Sequence, residues 1–122
     1  MVPSETRNTL TELRRGVLEF CVLATVRAEE SYAFEMVRVL SAAGELVTSE
    51  GTIYPLLSRL RRDDLVTTTW RESDAGPPRR YYRITDAGRR ALATFGDDWA
   101  RFRDAVDDLL DGKTPGGTGD GD

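Results

Sequence analysis

A chain of 122 residues, 39% hydrophobic and 31% charged, is apolar enough to bury one small core and too short for more than one ordinary domain with a tail. Its single cysteine, Cys21, and its lack of histidine exclude an internal disulfide and a thiolate zinc cluster within one subunit. They also remove the usual ligands and proton carriers of transition-metal and general-base chemistry, so no metal, cofactor or catalytic residue is expected. No apolar run approaches the roughly 20 residues of a bilayer span and the N-terminus has no signal-peptide pattern, so the expected location is the cytoplasm, away from the membrane.

Residues 1–8, polar and carrying Pro3, are expected to form a flexible arm. A first helix is expected from about Asn8 or Thr9 to Arg27, because Leu10, Leu13, Val17, Phe20, Cys21 and Ala24 recur at helical spacing as one buried face. Cys21, within that stripe and without a second thiol, reads as a small buried hydrophobe. Ser31 is placed to cap a short second helix carrying Phe34, Met36, Val37 and Leu40, which Ala42, Ala43 and Gly44 bring to an end. Thr48 or Ser49 then opens a third, with Ile53, Leu56, Leu57 and Leu60 facing inward. Two short helices this close together match a helix-turn-helix.

The β-branched and aromatic run Val66–Trp70 predicts a strand, Ser73–Pro78 a turn, and Tyr81–Ile84 the returning strand. A hairpin immediately after the helix-turn-helix is the arrangement called a wing. Thr85 caps a last helix whose Leu92, Phe95, Trp99, Phe102, Val106 and Leu109 follow a heptad pattern. The expected fold is mainly α with a β-hairpin: a winged helix-turn-helix over 9–84 and a C-terminal dimerisation helix over 85–110. An acidic Gly-rich tail, 111–122, has nothing to bury and is expected to be disordered.

That stripe is large for one small domain to cover, so it is expected to pair with a second copy, supported by Leu13, Val17 and Phe20 of the first helix, the alternative being that it folds back entirely on its own domain. Phe95, Trp99 and Phe102 can either fill this interface or line a gap that accepts a planar apolar effector. Charge is distributed in keeping with DNA binding. The chain sums to −4, yet from Ile53 to Arg90 nine arginines oppose five acids, and from Asp104 to Asp122 six aspartates oppose Lys113 alone.

Taking Ile53 and Leu60 as inward, the outer side of the third helix carries Gly51, Pro55, Ser58 and Arg62, flanked by Thr52, Tyr54 and Arg59. Such a helix fits the major groove, where Arg59 and Arg62 can pair with guanine edges or phosphates. The bland alternative is a solvated arginine face balanced by Asp63 and Asp64. Pro55 means either that the helix effectively begins near Thr52 or that it bends. Arg79 and Arg80, after two prolines, can clamp phosphate or enter the minor groove. Tyr81 and Tyr82 must face opposite sides of the strand, one of them the core, and Trp70 reads as a packing residue. A catalytic serine triad has no histidine to use, and adjacent acids such as Glu29 and Glu30 or Asp97 and Asp98 do not face each other across a cleft.

The segments LRRGVLEFCVLATV (Leu13–Val26), YAFEMVRVL (Tyr32–Leu40), SEGTIYPLLSRLRRDDLV (Ser49–Val66) and GPPRRYYRITDAGRRAL (Gly76–Leu92) resemble the PadR-like transcriptional regulators, a resemblance that runs from about Leu13 to Leu110. It departs at Ala33 and Phe34, where the family often has glycine and tyrosine. The resemblance implies a homodimer bound to a roughly palindromic operator in double-stranded DNA, repressing genes such as those for phenolic-acid detoxification or drug efflux until an aromatic or apolar effector binds. It implies that Ser49, Thr52, Tyr54 and Pro55 begin the recognition helix, that Arg79 and Arg80 are wing contacts, and that the chain is the short form with one C-terminal helix. Two alternatives stand beside a ligand-released repressor: a constitutive, autoregulatory DNA-binding repressor, and a winged-helix protein-interaction module that does not read DNA.

Overall fold

The computed structural model describes residues 3–44 and 46–113 of the chain. In order these form α1 (Pro3–Ala24), α2 (Ala33–Ala42), α3 (Glu50–Arg62), β1 (Val66–Ser73), β2 (Gly76–Ile84) and α4 (Asp86–Leu110). They make two compact units, 1–92 and 93–122, with α4 running from the first into the second. Met1 and Val2 of the expected arm, the side chain of Leu10, and the tail beyond Lys113 lie outside the described residues.

Helix α1 begins at Pro3, so residues 3–8 are helical and not a loose arm. Proline is at home at a helix's first position, where its missing N–H would have no partner anyway. After Ala24 the winding tightens: the amides of Thr25, Val26 and Arg27 donate three residues back, to Val22, Leu23 and Ala24, over 3.1–3.2 Å. The buried face also differs from the expected one. Leu18, Val22, Leu23 and Val26 enter the core, while Leu13 is 60% exposed and Val17, Phe20 and Cys21 are half-buried. Both stripes have helical spacing, and only packing against α2 and α3 decides between them. Burial pushes the Cys21 thiol above its ordinary pKa. Fewer thiolates and restricted access should make its alkylation at pH 8 at least about tenfold slower than that of free cysteine, as timed labelling followed by mass measurement will show.

The core closes with Ala33, Met36 and Leu40 of α2, Ile53, Leu57 and Leu60 of α3, and Val66, Tyr82 and Ile84 of the hairpin. Phe34 points away from it, 57% exposed. Ser31 is not the cap of α2. That position is Tyr32, without a side-chain cap bond, and Ser31 instead pairs with Tyr82 of β2, the two backbones exchanging bonds of 3.1 and 2.8 Å. A one-residue third strand has no periodicity to reveal it, and it ties the start of α2 to the wing.

The hairpin is longer than its β-branched run, and only Asp74 and Ala75 separate its strands. Between the pairs Arg71↔Arg79 and Ser73↔Gly76, Glu72 alone faces Pro77 and Pro78. The prolines therefore occupy a bulge, where an absent amide costs no ladder bond, and not the turn.

Helix α3 ends in a left-handed residue, Asp64 (φ 61°), with Leu65 N–H donating to the Leu60 carbonyl over 2.9 Å and Asp64 N–H to Arg61 over 3.0 Å. Glycine usually fills that position; aspartate is among the few residues that tolerate it. Thr85 caps α4 as its position suggested, its hydroxyl accepting from the Gly88 amide at 2.9 Å and donating to the Asp64 carbonyl at 2.7 Å. At the far end Gly112 (φ 85°) plays the left-handed part, and the amide of Lys113 donates to Asp108 over 2.8 Å, so Asp111–Lys113 form a capping turn where disorder was expected.

Candidate nucleic-acid interface

Ser49 is the N-cap of α3, accepting from the Thr52 amide at 3.3 Å, with its hydroxyl 3.1 Å from that of Thr52. The helix thus starts at Glu50, one turn before Pro55, and Pro55 lies inside it. Because proline has no N–H, the Gly51 carbonyl lacks its usual helical donor and stays open on the outer surface. Ile53, Leu57 and Leu60 are buried and Leu56 is half-buried, which leaves Gly51, Thr52, Tyr54, Pro55, Ser58, Arg59 and Arg62 exposed together, as the periodicity indicated.

Of the three arginines of α3, the two on its outer face, Arg59 and Arg62, differ. Arg59 Nε donates to Glu19 Oε1 of α1 at 2.9 Å, an ion pair that ties part of this guanidinium to the neighbouring helix. Arg62 pairs with its neighbour Asp63 at 3.7 Å, an exposed contact that leaves its side chain 71% in solvent.

On the wing, alternation along β2 sends Arg79 and Arg80 to opposite faces. The Arg79 guanidinium lies over the Tyr32 ring at 4.5 Å, and that ring is 5.2 Å from Tyr81, which carries Arg71 at 4.7 Å. Arg71 also pairs with Glu30. Arg80 lies over Trp70 at 5.0 Å, its cross-strand partner in the ladder. Tyr82 is the core tyrosine and Tyr81 the outer one. Trp70 does not serve the core: it shares the inner face of the hairpin with Val66 and Tyr82, yet it stands beyond the helices that cover them and is 62% exposed. Among the described residues, no carboxylate is within ion-pairing distance of Arg79 or Arg80, and the buried Arg80 Nε has no acceptor.

Between α3 and the wing lies an open cleft of about 480 Å³. Glu50, Tyr54 and Ser58 line one wall, Trp70, Pro78, Arg79 and Arg80 the other, with Tyr32 and Phe34 at its end. Burial, followed by the Glu50 charge, raises the Tyr54 phenol above its ordinary pKa, so it remains a neutral donor; its hydroxyl donates to Glu50 Oε1 at 3.4 Å. Cations stacked on rings keep their outward N–H groups, and a helix beside them presents hydroxyls and open amide dipoles: a surface suited to phosphate and base edges. Among the lining residues, Glu50, Phe34 and Trp70 are not assigned to DNA contact by the sequence pattern. Glu50 was legible as the residue one turn before Tyr54, whereas Trp70 required the register that pairs it with Arg80.

The second unit is a helix with an apolar stripe. Phe95 and Trp99 stack with centroids 6.3 Å apart, and Trp99 and Phe102 are 6.2 Å apart. Trp99 is 39% exposed, Phe102 61% and Leu109 57%. Among the described residues no His/Cys/Asp/Glu group is arranged to hold a metal ion, and no helix is long and apolar enough to cross a membrane.

Three helices, a hairpin against the third of them, and a cationic cleft between the two define a winged helix-turn-helix. The comparisons agree and go further. The family model described as "Transcriptional regulator PadR-like family" matches residues 22–94. The transcriptional regulator Rv3488 of Mycobacterium tuberculosis is 32% identical over 105 residues, 86% of this chain and 94% of that protein. The crystal structure of a PadR-like regulator from Bacillus cereus is 39% identical with a TM-score of 0.73, over 81% of this chain and 96% of that one. A PadR family regulator from Eggerthella lenta reaches a TM-score of 0.80 at 34% identity, over 88% and 94%. The chain belongs to the PadR-like family of transcriptional regulators, and its class of activity is DNA-binding regulation of transcription.

Proposed function

We propose that this protein is a homodimeric repressor that occupies a roughly palindromic operator and is released by a small aromatic or apolar effector bound near its dimer interface, with no catalytic role. Residues 9–84 are its DNA-reading domain and 85–110 its dimerisation helix. The observation that carries the DNA half is the cleft between α3 and the wing, with Arg79 and Arg80 stacked on rings and free of carboxylates among the described residues. Two copies of α3 about 34 Å apart enter successive major grooves through Ser49, Thr52, Tyr54, Pro55, Ser58 and Arg62, while the wings hold the flanking backbone. Arg59 contributes once it exchanges Glu19 for a phosphate.

The dimer half rests on α4, of which only Gly88 is buried although the helix runs for 25 residues. A helix of this length with Trp99, Phe102, Val106 and Leu109 in water is marginal alone, and a second copy supplies the missing cover. Leu92 and Phe95 extend that stripe, and Leu13, Val17 and Phe20 of α1 offer a further apolar face. The stacked rings of Phe95, Trp99 and Phe102 suit a planar ligand, and a ligand there that changes the angle between protomers changes the spacing of the α3 pair.

Fluorescence anisotropy with the DNA upstream of the protein's own gene tests the reading. The wild type should bind selectively at moderate salt. Arg79→Ala/Arg80→Ala should lose at least about tenfold in affinity, with a salt dependence shallower by about two counterions. A dimer that shows no selective binding would overturn the repressor reading.

A further inference from the structure

Glu50 is an acid where a DNA-binding surface should least tolerate one. It is the first residue of α3, the end of a recognition helix whose side chains reach base edges, and it lines the same cleft as Arg79 and Arg80. Yet among the described residues neither arginine pairs with it, and it receives a hydrogen bond from Tyr54, one turn along on the same wall. That bond, long at 3.4 Å, engages Oε1 and orients the carboxylate toward the cleft wall it shares with Tyr54. Near phosphate a fixed carboxylate is repelled, and only a hydrogen-bond donor on a base compensates it.

We propose, building on the reading that α3 enters the major groove, that Glu50 is a base-reading site for the exocyclic amine of cytosine, with Tyr54 as its positioning residue. The choice of base follows from donors and acceptors. A carboxylate only accepts. Adenine presents its N6 amine beside the N7 acceptor, which repels a second acceptor, whereas cytosine presents its N4 amine as a donor with no acceptor of its own in that groove. The site therefore subtracts from binding to every sequence and returns the loss where cytosine stands opposite. Glu50 also favours the positive end of the α3 dipole, but that role makes no distinction among bases.

Selection from a randomised duplex pool by the dimeric full chain, followed by anisotropy on the selected sites, tests this. The wild type should enrich a motif with cytosine at one position per half-site and discriminate there by about tenfold or more. Glu50→Ala should lose that preference while keeping the rest of the motif, and should bind unrelated DNA more tightly. Glu50→Gln, able to donate and accept, should move the preference to adenine, a result that a helix-dipole role does not produce. If the alanine variant enriches the same base at every position, the assignment to Glu50 falls and the DNA-reading role of α3 stands. If the wild-type pool stays random, the operator reading falls and this site with it.

Discussion

Gly88→Ala should destabilise the protein by about 2 to 3 kcal/mol, lowering its melting temperature by about 10 °C or more, although alanine is the better helix former. A Cβ at Gly88 would meet the Leu65 carbonyl oxygen at 2.2 Å and Ile84 Cγ1 at 2.7 Å. Neither neighbour is the loose end of a side chain. The Leu65 carbonyl accepts from the Thr85 amide at 3.0 Å, and the Thr85 hydroxyl joins the Gly88 amide to the Asp64 carbonyl. Making room lifts the first turn of α4 off the α3–β1 junction and loosens those bonds, each worth about 1 kcal/mol, with repacking strain of about 1 to 3 kcal/mol added. The gain in helix propensity returns only about 1 kcal/mol. Gly96→Ala, in the same helix with nothing within 4 Å of the added carbon, should instead stabilise by about 0.5 to 1 kcal/mol. Thermal melts of both variants read the difference, and equal melting of Gly88→Ala and wild type would mean that α4 is not clamped over Leu65.

That junction also shows where the sequence speaks and where it is silent. Helix α3 was legible with its outer face, because Ile53, Leu57 and Leu60 leave one inward direction and Ser49 is a strong cap. Thr85 was legible for the same reason. Helix α1 was not, since it carries two apolar stripes, Leu13–Val17–Phe20 and Leu18–Val22–Val26, and periodicity reports a face without saying what covers it. The span of the wing depended on a register that puts Pro77 and Pro78 in a bulge, and proline composition suggests a turn equally well. The candidate interface was legible residue by residue along α3 and β2. What escaped was its cross-element part: Glu19 on Arg59, Trp70 under Arg80, and the cleft that joins Glu50 to the wing. Each is a long-range contact fixed by packing, which no local pattern encodes.

Phe102→Glu should convert the proposed dimer to a monomer at micromolar concentration. In one protomer Phe102 is 61% exposed, so a carboxylate there is solvated and leaves the 1–92 unit intact. In a symmetric pair of α4 helices it is buried twice without a partner. The cost is several kcal/mol, and at about 1.4 kcal/mol per factor of ten it weakens association by about a thousandfold. The freed C-terminal segment, its apolar stripe no longer packed, should fray and lower the helical circular dichroism signal. Operator affinity should fall by about a hundredfold or more, because each monomer then holds a single half-site and loses the effective concentration that linkage supplies. Phe102→Leu keeps apolar area and should remain dimeric. Sedimentation velocity separates the cases: a Phe102→Glu protein that still sediments as a dimer would move the interface off the α4 stripe, onto a surface such as the Leu13–Val17–Phe20 face of α1. An effector gap beside Trp99 would then lose its basis, because a ligand held on one exposed helix face, with no second protomer opposite, has no angle between α3 copies to change.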